Sequence, residues 1–281
     1  MDLYAILLEN FPDIVREEAT AKRLLKDPEN HIITKYAKDV MVGISVIHKN
    51  AIYMLCVFEQ YRGCGYGAAL LEESEAYIKA QGYDKIIVGC GDDYLMPGVP
   101  MKYNAHQFFV KYGYIHSWGD CGCFDMNMDL QDFDKTEHQV GDTVNGVLYR
   151  WGTKDDIPRI AECVRDAEED FVQYYVDEEK YEEGNDQRIL IAELGDVVCG
   201  ALIVSVETEG KGLGSVGCTA TATAYQGRGI ASTMVMLGTH YLKQCGMERA
   251  FLGYTYTDIL RMYGRSGYEV CMEYMMAEKE L

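Results

Sequence analysis

The apolar positions of this chain follow two different spacings. Residues 40–48 and 51–57 are nearly continuous apolar runs joined by a short polar turn, which predicts two paired strands. Residues 68–80 carry apolar side chains at helical spacing, and residues 85–89 form a short apolar run typical of a buried strand. A second helix is predicted at residues 104–112.

The second half of the chain repeats this order of elements. It predicts strands at 188–194, 197–206 and 214–222, a helix at 230–244, a strand at 248–253, a helix at 258–266 and a strand at 268–278. The order and lengths predict the α+β class, with a mixed, mostly antiparallel sheet flanked by helices in each half.

A glycine-rich segment is also present twice. YRGCGYGAALL at residues 61–71 has its counterpart in YQGRGIASTMV at residues 225–235, 164 positions later. A repeat at this spacing indicates a duplicated domain. The first copy has no counterpart of the strand predicted at residues 147–151, so its first strand is expected to be missing. The predicted division is an N-terminal domain at 1–131, a connector at 132–146 and a C-terminal domain at 147–281.

The net charge of the chain and the length of its apolar runs disfavour nucleic-acid and membrane partners. The 281 residues contain 26 Lys plus Arg against 45 Asp plus Glu, a net charge of −19, which disfavours nonspecific binding to nucleic-acid phosphates. The longest apolar run, residues 197–204, has eight residues, whereas a bilayer span needs about 20. The N-terminus has an early Asp2 and no basic segment, so we expect a cytoplasmic protein without a membrane partner.

Cysteine and histidine spacing predicts neither disulfides nor a metal site. The ten cysteines contain no CxxC pair, and in a reducing compartment most of them are expected to be small core residues. The six histidines show no ligand spacing, so we expect no metal.

The repeated glycine turn predicts an anion site made of main-chain groups. A strand, a turn with R/Q-x-x-G-x-G/A and then a helix point several amide N–H groups outward, a geometry that binds pyrophosphate. Residues 63–68 also match the dinucleotide fingerprint G-x-G-x-x-[GA], but Asp84 precedes the next strand and the second copy breaks the pattern. Neither copy has a Walker lysine. The remaining alternative is a turn that caps the helix and binds no ligand. The presence of the same turn in both copies disfavours this alternative.

The two motifs resemble the pyrophosphate motif of the Gcn5-related N-acetyltransferase (GNAT) family. It stands at Arg62–Gly67 and at Gln226–Ala231, and the family's closing aromatic–G-F/Y pattern stands at Phe109…Gly113-Tyr114 and Tyr263…Gly267-Tyr268. The arrangement is similar to tandem members such as mycothiol synthase. The resemblance implies acetyl-CoA as co-substrate and direct transfer of its acetyl group to a primary amine.

The resemblance also assigns residues to that reaction. It implies that coenzyme A contacts Thr221, Ala222, Thr223, Gln226, Gly227, Arg228, Gly229, Ile230, Ala231 and Ser232 in the second copy, and Cys56, Val57, Arg62, Gly63, Cys64, Gly65, Tyr66 and Gly67 in the first. An amide near Thr221 would polarise the thioester carbonyl, and Tyr263 would protonate the leaving thiolate. Because Phe109 replaces that tyrosine in the first copy, the C-terminal domain is expected to be catalytic, and the first copy a second coenzyme A site or a scaffold.

The acceptor and the base are less defined. Ten acidic residues lie within residues 166–187, which suits a cationic amine, although such runs are usually solvated faces. The strand at 214–223 has no carboxylate, which favours deprotonation through water; Glu207 and Glu209 are better explained as a solvated hairpin. The alternative function is a non-catalytic acyl-CoA-binding or sensing module. The protein is expected to be a monomer or a homodimer.

Overall fold

The chain forms two compact units. The computed structural model describes residues 1–13, 18–89, 95–131, 133, 136–182, 184–206 and 212–281. Unit 1 comprises Met1–Phe124 and Met272–Leu281, and unit 2 comprises Asp125–Cys271. No helix in the described ranges is long and apolar enough to cross a membrane.

The first part of the chain contains four helices and seven strands among its described residues. They are α1 (Leu3–Asn10), α2 (Glu18–Leu25), β1 (His31–Ala37), β2 (Val40–His48), β3 (Ala51–Val57), α3 (Tyr66–Ala80), β4 (Lys85–Val88), β5 (Val99–Pro100), α4 (Ala105–Lys111), β6 (Ile115–His116) and β7 (Cys123–Asp129). The remainder contains β8 (Thr143–Val144), β9 (Val147–Trp151), α5 (Ile157–Ala167), α6 (Val172–Tyr175), β10 (Gln187–Leu194), β11 (Val197–Val206), β12 (Leu213–Thr221), α7 (Ile230–Gln244), β13 (Arg249–Tyr256), α8 (Thr257–Ser266), β14 (Glu269–Met275) and β15 (Ala277–Glu280).

Unit 1 is built on a sheet with the order β1-β2-β3-β4-β15-β6. Its strands pair antiparallel except β3 and β4, which are parallel. Ile47 and Ile52 on the strands pack with Leu71 and Ile78 on α3, so one apolar face of this helix covers the sheet. That burial supplies the main stabilisation of the unit.

Unit 2 has a larger mixed sheet in which the strands run β7-β13-β12-β11-β10-β9-β8. One core cluster joins the sheet to α7 and α8, and a second joins it to α5 and α6. The strands β12 and β13 are parallel, and the pairs from β8 to β12 are antiparallel. Both units are therefore mixed sheets flanked by helices, and the predicted α+β class is confirmed.

The strongly patterned elements were predicted well and the short ones were missed. The predicted bounds of β2, β3, β11 and α7 agree with the structure. Helices α1, α2, α5 and α6 and strand β1 were not predicted. Before β1, the described residues form helices and no strand.

The C-terminal segment changes the predicted division of the chain. The strand predicted at 268–278 is two strands, because β14 ends at Met275 and β15 pairs with β4 and β6 in unit 1. Residues 125–129 of β7 belong to unit 2. The expected connector at 132–146 contains β8, which pairs with β9 and so belongs to the sheet of unit 2. The predicted boundaries miss this exchange because strand pairing partners are not visible in a local sequence pattern.

Candidate active site

The two glycine turns adopt the same geometry in both units. Gly63 and Gly65 have φ of 78° and 88°, and Gly227 and Gly229 have φ of 74° and 81°, a conformation that glycine adopts without steric cost. Gly65 and Gly229 begin α3 and α7, and no side-chain cap bonds to either helix start in the described structure. A Cβ at any of the four glycines would meet no atom within 4 Å, so both turns are open to a ligand.

Each turn is tied back to the strand that precedes it. Arg62 Nε donates to Val57 O at 3.0 Å, and Gln226 Nε2 donates to Thr221 O at 3.1 Å, which are matching positions of the two copies. Arg228 Nη2 donates to Ala224 O at 3.0 Å. These bonds fix the turn while its amides stay exposed to an anion.

The remaining predicted coenzyme A residues surround these turns. Thr223 N donates to Asp166 Oδ2 at 2.6 Å, which fixes the chain just before the turn. Ala222 and Ile230 are buried, whereas Cys64 is exposed at the position that Arg228 occupies in the other copy. Burial raises the pKa of Cys56 to about 12, so this thiol is not a thiolate nucleophile at neutral pH. The half-buried predicted residues are Val57, Tyr66, Gly67, Thr221, Ala231 and Ser232.

In unit 2 a cleft opens between the two parallel strands, since both continue beyond the end of their ladder. The ladder between β12 and β13 ends at the pair Ser215–Phe251, although β12 continues to Thr221 and β13 to Tyr256. In unit 1 the ladder between β3 and β4 ends at the pair Ile52–Val88. In unit 2 the space between the continuing parts of β12 and β13 is suited to an extended ligand that bonds to the main chain.

The matching strands β12 and β3 each contain a bulge, but the two bulges lie one residue apart and differ in backbone conformation. The pairing of β11 with β12 shifts between Ala201 and Ile203, and Cys218, on the bulged stretch of β12, has φ of 48°. In unit 1 the pairing of β3 with β2 shifts directly after Met54, the counterpart of Cys218, which leaves Tyr53 as the extra residue, and no residue of β3 has a positive φ. A bulge removes one residue from the ladder and exposes its polar groups. The distortion lies three residues before Thr221, the position expected to supply the polarising amide.

Tyr263 lies beside this bulge. Its side chain is 2% exposed, and its Oη lies 3.0 Å from Thr219 Oγ1 on β12. Burial raises the pKa of Tyr263 to about 12, and the bond with Thr219 acts in the opposite direction. The phenol therefore keeps its proton at neutral pH and is able to donate it.

Unit 1 has no equivalent proton donor at this place. Phe109 is the counterpart of Tyr263, and Leu55 is the counterpart of Thr219. Phe109 is buried in the apolar core of unit 1 and contacts the ring of Tyr114. The polar pair of unit 2 is thus replaced by two apolar side chains.

The sequence analysis missed two buried polar residues next to the cleft strands. Tyr175 on α6 is fully buried and donates its hydroxyl to Cys218 O. Asp125 on β7 is 2% exposed, and its Oδ1 accepts from Tyr254 N at 3.1 Å. The sequence gives no signal for Asp125, since its alternation with Met126 and Met128, which face the core, predicts an exposed side chain.

The acidic stretch at 166–187 is a solvated surface in the structure. Its nine described acidic residues are all exposed, and Glu183 lies outside the described residues. Asp166 is engaged with the main chain of Thr223. Glu207 and Glu209 also lie outside the described residues.

Comparison with protein families gives one match to each half of the chain. Residues 3–126 match the acetyltransferase (GNAT) domain, and residues 155–268 match the acetyltransferase (GNAT) family. A search of curated proteins found no match. The matches do not bear on the likeness to mycothiol synthase.

Solved structures of low sequence identity share the fold. A GCN5-related glucosamine N-acetyltransferase region of a fungal multi-domain GH3 β-N-acetylglucosaminidase has a TM-score of 0.74 at 20% identity; the match covers 99% of this chain and 36% of the fungal protein. A GCN5-related N-acetyltransferase from Sphaerobacter thermophilus has a TM-score of 0.70 at 16% identity, with 94% and 85% of the two chains covered. A tandem GNAT protein from the clavulanic acid biosynthesis pathway has a TM-score of 0.63 at 14% identity, with 92% and 86% covered.

Proposed function

Because the chain belongs to the GNAT acetyltransferase family through both of its domains, we propose that it moves an acetyl group from acetyl-CoA to a primary amine of a small molecule, and that unit 2 carries out this step. The chain is an N-acetyltransferase, and domains of its family generally use acetyl-CoA. The observation that supports unit 2 is the combination of the β12 bulge with the phenol of Tyr263. In unit 1 the bulge of β3 lies one residue further from the turn, no residue of β3 has a positive φ, and Phe109 stands at the position of Tyr263.

The turn of unit 2 is suited to the pyrophosphate of coenzyme A. The amides of Gly227 to Ala231 lie at the start of α7, where the helix dipole favours an anion. Ser232 follows in the first turn of this helix, and Arg228 adds a positive charge. The pantetheine arm would then extend along β12 through Thr223, Ala222 and Thr221 toward the bulge.

In the proposed reaction, the bulge stabilises the oxyanion and Tyr263 protonates the leaving group. The amine nitrogen attacks the thioester carbonyl, and a main-chain N–H released by the bulge stabilises the developing oxyanion. The carbon–sulfur bond then breaks, and Tyr263 donates its proton to the departing thiolate. The proton of the amine leaves through ordered water, since β12 carries no carboxylate.

Unit 1 is proposed to bind coenzyme A without catalysing transfer. Its turn has the same open glycines, and Arg62 supplies a positive charge beside Gly63 and Gly65. Cys56 and Val57 on β3 would hold the pantetheine arm, and Tyr66 and Gly67 would follow at the start of α3. The alternative function, a non-catalytic acyl-CoA-binding or sensing module, rests on this shared turn geometry, which does not itself require catalysis.

The acceptor is proposed to be a primary amine. A cationic amine would suit the acidic surface at residues 166–187. An amino sugar enters the candidates because a structural neighbour is described as a glucosamine N-acetyltransferase region. No metal is proposed for the reaction. Among the described residues, Asp27, Glu29 and His48 bring possible ligand atoms within 4.8 Å of one another in unit 1.

Release of free coenzyme A thiol from acetyl-CoA tests this function. The panel of acceptors should contain an amino sugar, a polyamine, an aminoglycoside and an amino acid, each at millimolar concentration. Thiol release that depends on one of these amines is the expected result. Binding of coenzyme A without turnover across the panel would contradict it and favour the sensor.

A further inference from the structure

Two residues with side chains hold a left-handed backbone conformation, one on each strand of the cleft in unit 2. Cys218 on β12 has φ of 48°, and Tyr254 on β13 has φ of 59°. Residues other than glycine rarely adopt this region, which costs on the order of 1–3 kcal/mol and persists where surrounding contacts enforce it. Both strained residues lie beyond the point where the ladder between the two strands ends.

A buried tyrosine fixes the first of these residues. Tyr175 is fully buried among the side chains between α5, α6 and the sheet, and its hydroxyl donates to Cys218 O. Tyr181 donates its own hydroxyl to Tyr175 O at 2.7 Å, so the main chain that carries Tyr175 is also held. The hydroxyl is therefore aimed at the carbonyl of the bulged residue.

A buried aspartate fixes the second. Asp125 Oδ1 accepts the main-chain N–H of Tyr254 at 3.1 Å. Met126, the next residue on β7, packs in the core between the sheet and α7 and α8, which fixes the direction of the Asp125 side chain. The Asp125 carboxylate thus stabilises the left-handed backbone conformation of Tyr254 in β13.

We propose that Tyr175 and Asp125 are positioning residues that hold the main chain of β12 and β13 in the shape required by the pantetheine arm and its thioester. This inference rests on the function proposed above, because the arm is the ligand that the two strands would receive. Neither residue needs to touch the acetyl group. Their effect passes through Cys218 and Tyr254.

Binding of two ligands to the full chain tests the proposal. ADP carries a pyrophosphate without pantetheine, whereas coenzyme A carries both. Calorimetry should be performed in a Gly65→Asp background, in which the turn of unit 1 no longer binds an anion. We expect Tyr175→Phe and Asp125→Ala each to weaken coenzyme A binding about tenfold, the scale of one net hydrogen bond, and to leave ADP affinity within about twofold.

Matched variants separate positioning from general loss of structure. Asp125→Asn keeps an oxygen that accepts from Tyr254 N, so it should restore coenzyme A affinity to within about threefold of the parent. Tyr268→Phe and Asp156→Asn remove a buried hydroxyl and a buried carboxylate of unit 2 that bond elsewhere, and should leave both affinities unchanged.

The binding results distinguish failure of the positioning role from failure of the proposed function. Unchanged coenzyme A affinity in both positioning variants, an equal loss of ADP and coenzyme A affinity, or an Asn variant as weak as the Ala variant would overturn the proposal. A parent protein that binds neither ligand would instead overturn the proposed function itself.

Discussion

At the scale of single residues, the chemistry proposed for unit 2 requires a phenol that keeps its proton until the thiolate leaves. Tyr263 meets this condition because it is buried and bonded to Thr219 on the bulged strand. The sequence motif singles out Tyr263 among the 22 tyrosines of the chain, and its catalytic role stays a prediction. Tyr175 and Asp125 could not be selected in the same way, since their partners are main-chain atoms of distant strands.

Tyr263→Phe should lower kcat by about 100-fold, because it removes the proton donor while the ring keeps its packing. Coenzyme A affinity should stay within about twofold, since the Tyr263 hydroxyl bonds to Thr219 on β12 and not to the glycine turn. Steady-state kinetics with the best amine of the panel measures the first quantity, and calorimetry measures the second.

Tyr268→Phe is the matched control for this substitution. Tyr268 is equally buried in unit 2 and bonds to Thr239 Oγ1 at 2.8 Å. Its loss should reduce stability by about 1 kcal/mol and leave kcat unchanged. An unaltered kcat in Tyr263→Phe would remove this residue from the mechanism.

At the scale of elements, an ion network joins β9, α5 and β10 in unit 2. Arg150 donates to both carboxylate oxygens of Asp156 at 2.7 and 2.9 Å, and its Nε donates to Glu193 at 2.8 Å. Arg159 also bonds to both carboxylates. These hydrogen bonds hold the pKa of Asp156 and the pKa of Glu193 below their usual range. The bonds from Arg150 have the largest effect.

Asp156→Asn should destabilise the protein by about 2 kcal/mol at pH 7. A carboxylate whose pKa is lowered on folding contributes its full stability above its unfolded pKa of about 4 and loses it as the pH falls further. The stability difference between wild type and variant should therefore narrow below about pH 4, as measured by urea unfolding.

Glu73→Gln in the exposed pair with Lys35 provides the control, with an expected effect below about 0.5 kcal/mol at any of these pH values. A difference between wild type and Asp156→Asn that widens on acidification would contradict the account of the network.

At the scale of the whole molecule, duplication and exchange of end segments explain the architecture. The repeat and the two glycine turns were visible in the sequence, so the tandem arrangement and the α+β class could be predicted from it. The assignment of β15 to unit 1 and of residues 125–129 to unit 2 could not, because antiparallel partners are chosen by tertiary packing. The short helices α1 and α2 were also missed, since eight residues give too few turns for a clear periodicity.

Removal of residues 277–281 should loosen unit 1 selectively. β15 lies between β4 and β6, and its Ala277 is buried against the core of unit 1. Hydrogen exchange should show lost protection in β4 and β6 and unchanged protection in β11 and α7. Equal loss in both sets of elements would contradict the assignment of the terminal strand.

The central claim is that the turn of unit 2 holds acetyl-CoA for catalysis and that the turn of unit 1 does not serve this step. The most direct test is amine-dependent thiol release by Gly229→Asp and Gly65→Asp. A Cβ at either position meets no atom within 4 Å, and the backbone strain of a side chain at φ of 81° or 88° is nearly the same in the two variants, so a difference between them reports on the ligand. The account predicts at least about 100-fold lower turnover for Gly229→Asp and a change within about twofold for Gly65→Asp, because a carboxylate at the start of α7 repels the pyrophosphate. Full turnover in Gly229→Asp, or its loss in Gly65→Asp alone, would contradict the account.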